Sequence, residues 1–371
     1  MRAVSASSGA AAADAEADSG ASSLVATSKR DHGAKLMMEG SVFAELELAE
    51  AAKKVAGVRV RQHVNPLKAS LQAQAPAPAW ADVFASVARP LVVDIGCGGG
   101  RFDLMMAKRF PEKNVLGVDI RAPLVERGNA WGAHAGLVDN LHFAECNATV
   151  SIGRWLRAYS DAAGIPRAVE MVTIQFPDPH FKKRHRKRRV VQPALVRAVA
   201  EGLEPGARVF LQSDVLGVAE DMRDKFERFG AHLFELDARL HDVSEMDAGA
   251  VSERARGSVE AARRAHEEDE RARRAREKAE REGYPGRSFA KDAKGDGGEK
   301  GAAASTERDG GDEKASEEEE DGWASAWALA GDREGWLDEN PLGVPTEREC
   351  QTVDAGGRCY RVMLVRNETP V

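Results

Sequence analysis

Short apolar segments alternate with amphipathic segments through the middle of the chain. LVVDI at residues 91–95 is apolar apart from one acid and predicts a buried strand. Five further predicted strands are NVLGVD (114–119), LHFAE (141–145), VEMVTIQF (169–176), ARVFLQ (207–212) and CYRVMLVR (359–366). Helical patterns lie between them, roughly at residues 101–110, 122–135, 150–159, 190–202 and 215–229. This alternation predicts an α/β fold with a doubly wound, mostly parallel sheet.

The segments that flank this core differ from it in composition. The predicted parts are 1–33, a disordered arm or transit peptide rich in Ala and Ser; 34–80, an N-terminal helix and an extended entry segment; 81–240, the main α/β unit; 241–321, a charged low-complexity insertion; and 322–371, the C-terminal part of the same unit. Within the insertion, 258–282 favours a solvated single helix, whereas 286–321 cannot bury enough apolar surface to fold. The insertion is predicted to be a surface loop before the last strand.

The net charge of −7 comes entirely from that insertion. Residues 245–321 hold 16 Lys and Arg against 23 Asp and Glu, and the rest of the chain holds 37 of each sign. The acidic balance therefore does not argue against a nucleic-acid partner, since the local distribution of charge decides.

Several classes of protein are disfavoured by residue usage. The four cysteines form no CxxC pair, and the nine histidines show no metal-ligand spacing, so neither a disulfide framework nor a metal site is predicted. No run of 18 apolar residues occurs, and no membrane span is expected.

A glycine-rich turn follows the first predicted strand in VVDIGCGGGRF (92–102). Glycines allow the backbone to turn sharply and to approach a ligand closely, and the acid at the end of the second strand, Asp119, has the position of one that binds ribose hydroxyls. The dinucleotide pattern G-x-G-x-x-G fails because Arg101 occupies its third glycine position. S-adenosylmethionine is therefore favoured, and a tight turn without a ligand is the remaining alternative. The candidate cofactor-binding residues here are Asp94, Gly96, Gly98, Gly100 and Asp119.

The segment QFPDPHFKKRHRKRRVVQP (175–193) follows the fourth predicted strand. Asp178 lies between two prolines, which stiffen the turn, at the strand end where open α/β sheets bind ligands. Seven of the eight residues 182–189 are Lys or Arg, which favours contact with nucleic-acid phosphates over a solvated helix start or a localisation signal. Phe176 and Phe181 flank the basic run; either can stack on a base, although core packing fits Phe176 better.

At these motifs the chain resembles the bacterial-type tRNA (guanine-N7)-methyltransferases, which are class I enzymes, and in particular their plant and algal relatives. The matching segments are RQHVNPL (61–67), DIGCGGGRF (94–102), GVDIR (117–121), NATVS (147–151), FPDPHFKKRHRKRR (176–189), QSDVL (212–216) and NPLGVPTERE (340–349). The resemblance spans about 61–240 and 322–366 and implies a Rossmann-like methyltransferase core at 81–240.

The resemblance also implies roles for individual residues. Asp178 is the implied catalytic residue, close to both S-adenosylmethionine and guanine. The other implied cofactor contacts are Asp94, Asp119 and Asn147. The implied or candidate substrate contacts are Lys182, Lys183, Arg184, Arg186, Arg188, Asp214, Thr346 and Glu349. The family methylates a guanine of the tRNA variable loop, position 46.

The chemistry of guanine N7 fits carboxylates better than a strong base. N7 has an in-plane lone pair and loses no proton on methylation, so positioning carries most of the catalysis. Asp178, Asp214 and Glu349 can accept hydrogen bonds from N1–H and the 2-amino group. From sequence alone, Asp214 equally fits a helix cap, and Thr346 with Glu349 fits a capping box.

Three other functions remain open at this point. They are a methyltransferase that acts on another RNA, a protein or a small molecule; a non-catalytic RNA-binding relative; and, most weakly, a dehydrogenase. The expected partner is tRNA, with no membrane and no metal; no obligate protein partner is indicated, and a monomer or a homodimer is expected. The N-terminal composition and the plant-like resemblance favour the chloroplast, with the cytoplasm as the alternative.

Overall fold

The fold is built on one central sheet, seen in a computed structural model that describes residues 41–48, 51, 64–244, 246–282, 324–330 and 334–370. Its seven strands are β1 (Leu91–Ile95), β2 (Asn114–Asp119), β3 (Leu141–Glu145), β4 (Val169–Gln175), β5 (Arg208–Ser213), β6 (Phe234–Leu236) and β7 (Tyr360–Arg366). Their order is β3-β2-β1-β4-β5-β7-β6, and only β7 runs antiparallel to its neighbours. The predicted doubly wound, mostly parallel sheet is confirmed.

Helices cover both faces of this sheet. They are α1 (Trp80–Val83), α2 (Arg101–Arg109), α3 (Ala122–His134), α4 (Ala148–Ala163), α5 (Pro193–Gly202), α6 (Leu216–Gly230), α7 (Ala248–Glu282) and α8 (Glu347–Asp354). Apolar residues of α4, α5 and α6 pack on one face, and those of α2 and α3 pack on the other. Along β1, Leu91 and Val93 join the first core while Val92 joins the second, because successive side chains of a strand point to opposite faces.

The strand order places a topological switch point between β1 and β4. The chain leaves β1 toward β2 and β3 on one side, and it returns to β4 and β5 on the other. Ligands of open α/β sheets bind in the crevice outside the carboxyl ends of the strands at such a point. The glycine-rich turn after β1 and the Asp178 turn after β4 both lie at this edge.

Two features of the sheet region differ from the sequence prediction. The three-residue strand β6 was not predicted, since its pattern is too short to register. Helix α7 begins at Ala248 rather than near residue 258, because Val251 and Ala255 bury against the first core and α7 packs on α6. The beginning of the charged segment is therefore part of the folded unit.

Parts of the predicted N-terminal segments and of the predicted insertion lie outside the described residues. Residues 41–48 and 51 of the predicted N-terminal helix are described, and they include a 3₁₀ turn, Ala44–Leu46; the rest of that segment lies outside the described residues. The predicted arm at 1–33 and the segment 286–321 lie outside the described residues. Among the helices that are described, none has the length and apolar character needed to cross a membrane.

Candidate active site

A cleft of about 230 Å³ opens at the carboxyl ends of β1, β2 and β4. The entry segment closes one side of it, and the turn and basic run after β4 close another. Its lining from the sheet side includes Gly96, Val118, Asp119, Ile120, Arg121, Cys146, Asn147 and Gln175. Its lining from the turn after β4 includes Phe176, Pro177, Asp178, His180, Lys187, Arg188 and Arg189. This mixture of apolar walls and a few polar groups is typical of a small-molecule site.

Asp119 organises the glycine-rich turn. Its Oδ2 accepts a hydrogen bond from the backbone N–H of Gly98 at 3.1 Å. The guanidinium of Arg121 donates to both carboxylate oxygens of Asp119, at 2.8 Å each. The backbone of Gly96 has a φ of +87°, and a Cβ atom on this residue would meet no atom within 4 Å. Glycine therefore supplies the turn and leaves open space beside the acid.

Asp94 is buried beneath the cleft and belongs to a row of polar side chains. Its Oδ1 accepts a hydrogen bond from Thr173 Oγ1 at 2.5 Å and from Gln175 Nε2 at 3.4 Å. Burial raises the pKa of Asp94 to about 6, although these two hydrogen bonds oppose the shift. Gln175 Oε1 in turn accepts from Gln212 Nε2 at 3.5 Å, so the row continues from β1 across β4 to β5.

Gly100 is required by packing rather than by the cleft. It has a φ of +75°, and an added Cβ would lie 2.8 Å from the ring of Phe143. The same ring fills the space that side chains at Gly117 and Gly128 would need. The glycine-rich segment therefore combines one position that borders the cleft, Gly96, with one that admits an aromatic ring of β3.

Asn147 serves two neighbouring segments through its amide. Its Oδ1 caps α4 by accepting from the backbone N–H of Thr149 at 3.2 Å. Its Nδ2 donates to the carbonyl oxygens of Pro66 and Leu71 at 3.1 and 3.0 Å. Asn147 thus ties the entry segment over the cleft, a role that its spacing alone did not indicate.

The turn that carries Asp178 is held in a strained shape. Phe176 and His180, on either side, have φ values of +49° and +42°, which cost about 1–3 kcal/mol each for residues other than glycine. Arg189 donates to a carbonyl oxygen inside the turn at 2.9 Å. The pKa of Arg121 is raised mainly by its hydrogen bonds to Asp119 and further by the charge of Asp178. The exposed Asp178 carboxylate therefore stands at the cleft on a braced backbone.

A basic turn borders the same cleft, and we use this name for residues 182–189. Residues Lys183–Arg188 form a 3₁₀ helix. Lys187, Arg188 and Arg189 line the cleft, whereas Lys182, Lys183, Arg184 and Arg186 are exposed beyond it. Phe181 precedes the helix with 72% of its surface exposed, while Phe176 is half-buried and lines the cleft instead of packing in the core. The basic turn presents a cationic rim beside Asp178.

The segment that begins α8 is attached to three other elements through consecutive residues. Glu347 forms an ion pair with Arg101 at the start of α2. Arg348 donates to Asp214 Oδ2 at 2.8 and 2.5 Å, from Nε and Nη2. Glu349 pairs with Arg361 of β7 at 2.8 Å. This first turn of α8 therefore connects the start of α2, beside the glycine-rich turn, to the end of β5 and to β7.

Two local alternatives from the sequence are resolved here. Thr346 does cap α8, since its Oγ1 accepts from the backbone N–H of Glu349 at 3.1 Å, but the Glu349 carboxylate bonds to β5 and β7 side chains and completes no capping box. The cap reading of Asp214 is wrong, because Val215 occupies the N-cap position of α6 and the Asp214 carboxylate pairs with Arg348.

The structure brings only part of the predicted site to the cleft. The candidates that line it are Gly96, Asp119, Asn147, Asp178 and Arg188. The candidates that do not line it are Asp94, Gly98, Gly100, Lys182, Lys183, Arg184, Arg186, Asp214, Thr346 and Glu349. Asp94 and Glu349 are both buried, and each reaches the cleft only through the polar row.

Sequence reasoning missed the polar side chains that connect these groups. Thr173 and Gln175 lie two residues apart at buried positions of β4, and Gln212 and Arg361 take buried positions of β5 and β7 next to apolar residues. Polar residues at buried strand positions were the available signal. Within the described ranges, no group of three or more His, Cys, Asp or Glu side chains is arranged to hold a metal ion.

The residues present fit S-adenosylmethionine. An acid at the end of β2 with open space beside Gly96 suits a ribose, the apolar walls suit an adenine ring, and a second acid beneath the cleft suits the cationic methionine end. The fold and this site together define a class I S-adenosylmethionine-dependent methyltransferase.

Comparison with known proteins narrows the class. A family model described as "Putative methyltransferase" matches residues 88–267. A tRNA (guanine-N(7)-)-methyltransferase of Synechococcus sp. (strain JA-3-3Ab) is 54% identical over 174 residues, which are 47% of this chain and 70% of the relative. One of Synechocystis sp. (strain ATCC 27184 / PCC 6803 / Kazusa) is 50% identical over 172 residues, 46% of this chain and 78% of the relative. The chain belongs to the tRNA (guanine-N7)-methyltransferase family.

Solved structures offer a more distant likeness. TrmN from Thermus thermophilus is 21% identical, with a TM-score of 0.29, over 41% of this chain and 40% of that one. The aminoglycoside resistance methyltransferase NpmB1 is 19% identical, with a TM-score of 0.28, over 45% and 73%.

Proposed function

We propose that this chain transfers a methyl group from S-adenosylmethionine to N7 of guanine 46 in the variable loop of tRNA. The observation that carries the proposal is the cleft at the β1/β4 switch point, where acids, the braced Asp178 turn and the basic turn meet. Family membership supports the guanine-N7 chemistry and the tRNA substrate. The resemblance of the motifs to the bacterial-type enzymes supports position 46.

The reaction depends on the orientation of the guanine base, because no proton has to be removed from it. S-adenosylmethionine, when bound, supplies a methyl group on a sulfonium that is ready for in-line displacement. The N7 lone pair would bond to the methyl carbon while the electron pair of the carbon–sulfur bond stayed on sulfur, so that S-adenosylhomocysteine would leave as a neutral thioether. The base would become cationic without losing a proton. The protein must therefore hold the base edge-on and stabilise positive charge that develops on it.

Asp178 is the group best suited to that task. It is exposed at the cleft, its backbone is braced by a strained turn, and it carries negative charge beside the site. Its carboxylate accepts from N1–H or the 2-amino group of guanine, which rejects adenine and aims N7 toward the cofactor. Asp119 would hold the ribose hydroxyls, and Arg121 would have to release part of its hold on Asp119 for them to bind.

A methyl-transfer assay tests the proposal. The purified chain is incubated with labelled S-adenosylmethionine and unmodified tRNA that carries guanine 46, and the digested nucleosides are separated. We expect a 7-methylguanosine peak that is absent when guanine 46 is replaced by adenine. A peak that persists in the substituted tRNA would exclude position 46, and the lack of label in any tRNA despite cofactor binding would exclude the activity.

The basic turn is predicted to bind tRNA phosphates. Reversing the charge of Lys183 and Arg184 to Glu should raise the KM for tRNA by about tenfold or more and reduce the slope of log affinity against log salt by about 1 per lost contact. The affinity for S-adenosylmethionine should stay unchanged. Arg263→Glu combined with Arg264→Glu is the matched control, since both are exposed arginines of α7 away from the cleft. Equal effects of both changes would show that only overall charge matters.

We also propose that the chain acts in the chloroplast. The Ala- and Ser-rich residues 1–33 support this, and both relatives described above come from cyanobacteria. Residues 1–33 fused to a fluorescent protein should direct it to chloroplasts of algal cells. Diffuse cytoplasmic fluorescence would favour the alternative.

A further inference from the structure

Phe181 is the most exposed large apolar side chain in the described part of the chain, with 72% of its surface open to solvent. The other strongly exposed apolar residues there are aliphatic. A single exposed apolar side chain is common on protein surfaces, so the setting of Phe181 decides what it can do. That setting is the junction between the turn that carries Asp178 and the basic turn.

The backbone on both sides of Phe181 is braced. His180, which lines the cleft, has a φ of +42°, and its ring meets the ring of His185 edge to face with the centroids 6.5 Å apart. Arg189 donates to the carbonyl oxygen of Pro179 at 2.9 Å. Both contacts join a residue before Phe181 to a residue after it, so the ring projects from a backbone of defined shape.

Further contacts anchor the basic turn to the helices behind it. Arg189 pairs with Asp221 of α6 at 3.3 Å. Gln192, the N-cap residue of α5, donates from Nε2 to the carbonyl oxygens of Arg186 and Arg189 at 3.1 Å each. A segment held in this way loses little conformational freedom when it binds a ligand, which favours affinity.

Cations surround the ring outside the cleft. Lys182, Lys183 and Arg184 follow Phe181 directly and are exposed, and residues 179–189 contain no Asp or Glu. Proteins that bind unpaired nucleotides combine these two features, a cationic surface for the backbone and an aromatic side chain on which a base stacks. A single ring buries too little apolar area to hold a protein on a membrane, so a nucleic acid fits this surface better.

Methylation inside the cleft leaves other bases without a stacking partner. A guanine that enters the cleft must leave its stack in the tRNA. Its two neighbours in the nucleotide chain then each lose one stacking face. Phe181 does not line the cleft although His180 does, so its ring is available to nucleotides at the cleft mouth rather than to the base inside.

We propose that Phe181 is a stacking platform for a base next to guanine 46, where it replaces the stacking contact that this base loses when the guanine enters the cleft. This inference rests on the proposed function. The basic turn contacts the phosphates of the same nucleotides, and Phe181 adds a contact to a base. Phe176 is not suited to this role, because it is half-buried and lines the cleft.

Substitutions of Phe181 separate stacking from charge. Binding of tRNA is measured with S-adenosylhomocysteine present, so that no methyl group is transferred. Phe181→Ala should weaken this binding by about 5- to 100-fold, and Phe181→Leu, which keeps apolar area but has no aromatic face, by more than about threefold. Phe181→Trp should stay within about twofold of the wild type or bind more tightly. The slope of log affinity against log salt should not change in any of these variants, because no phosphate contact is lost.

Leu329 provides the matched control. Its side chain is 68% exposed, it does not line the cleft, and it follows Trp327, which borders a second cavity beside β6. Leu329→Ala removes exposed apolar area elsewhere on the surface and should leave tRNA binding unchanged. Since both positions are exposed, the melting temperatures of all these variants should stay close to that of the wild type.

Abasic tRNAs identify the stacked base. Each nucleotide that flanks guanine 46 is replaced in turn by an abasic one, and binding to the wild-type chain and to Phe181→Ala is measured. At one position the abasic tRNA should bind the wild type about as weakly as the intact tRNA binds Phe181→Ala, and the two changes together should weaken binding no further. Additive losses at every flanking position, or an unchanged affinity of Phe181→Ala, would overturn the proposal.

The outcomes also distinguish this proposal from the proposed function. Additive losses in a chain that methylates guanine 46 would overturn the stacking role alone. The expected coupling in a chain that transfers no methyl group to tRNA would support stacking and refute the proposed function. A wild-type chain without measurable affinity for tRNA would overturn both.

Discussion

Replacing Asp178 by Asn is expected to lower kcat/KM for methylation of guanine N7 in tRNA by about 100- to 1000-fold, the range found when one preorganised transition-state contact is lost. The change removes the negative charge and keeps the shape of the side chain. Because positive charge develops on the base only during the reaction, kcat should account for most of the loss. The dissociation constant of S-adenosylmethionine should change by less than about threefold.

The surroundings of Asp178 make this a change in chemistry rather than in folding. The residue is exposed, and its backbone shape is set by the strained neighbours Phe176 and His180. Asp161→Asn is the control, because Asp161 is an exposed acid near the far end of α4, which starts at the cleft with Asn147 as its cap and extends about 24 Å away. An Asp178→Asn rate within a few-fold of wild type would show that the role assigned to Asp178 is wrong.

Binding of S-adenosylmethionine is expected to weaken about tenfold for each pH unit below about 6. Burial raises the pKa of Asp94 to about 6, so the carboxyl group takes up a proton in mildly acidic solution. Its Oδ2 takes part in neither of the hydrogen bonds from Thr173 and Gln175, and the charged form of Asp94 favours a cationic ligand. Titration calorimetry between pH 5 and 8 measures the effect.

Asp94→Asn supplies the control for that measurement. The variant should bind S-adenosylmethionine at pH 8 at least about tenfold more weakly than wild type, and its affinity should no longer depend on pH in this window. His180→Gln removes the histidine that also lines the cleft and should keep the pH dependence. A pH profile that survives in Asp94→Asn would assign the titration to another group.

The same pKa shift predicts an opposite effect on the ligand-free protein. A carboxyl group whose pKa is raised in the folded state stabilises the fold at low pH and loses that contribution as pH rises from about 4 to about 6. Asp94→Asn should therefore be the more heat-stable protein at pH 8. The ionised Asp94 carboxylate thus lowers the stability of the ligand-free fold and raises the affinity for S-adenosylmethionine.

The fold could be predicted because its strands carry a strong local signal. β1 is buried at every position, and a run of five apolar or acidic residues before a glycine-rich turn has few other interpretations. The shorter strand β6 has no such pattern, since its three residues alternate buried, exposed and buried and gain strand geometry only by pairing with β7. The start of α7 was missed because a single valine and alanine anchor it in a segment of charges.

The candidate site was likewise predictable only where its residues lie next to strand ends. Gly96, Asp119 and Asp178 are adjacent to strand ends in sequence, so their meeting at one edge of the sheet follows from a parallel topology. The roles of Gly100 and Asn147 depend on what lies opposite them, a Phe143 ring and the entry segment carbonyls. Contacts between residues distant in the chain are fixed by tertiary packing, which no local pattern encodes.

The position of β7 between β5 and β6 sets the order in which the two halves of the site become complete during synthesis. The cofactor side is built from β1, β2 and β4, all before residue 179, whereas 123 residues separate Leu236, the end of β6, from the start of β7. A nascent chain can therefore close its cofactor cleft while the edge of β5 still awaits a partner. Loop-closure free energy rises by only about 0.6 kcal/mol for each doubling of loop length, so the span between β6 and β7 can change greatly in length at little thermodynamic cost. Its length instead sets how long the part of the sheet beyond β5 stays unformed.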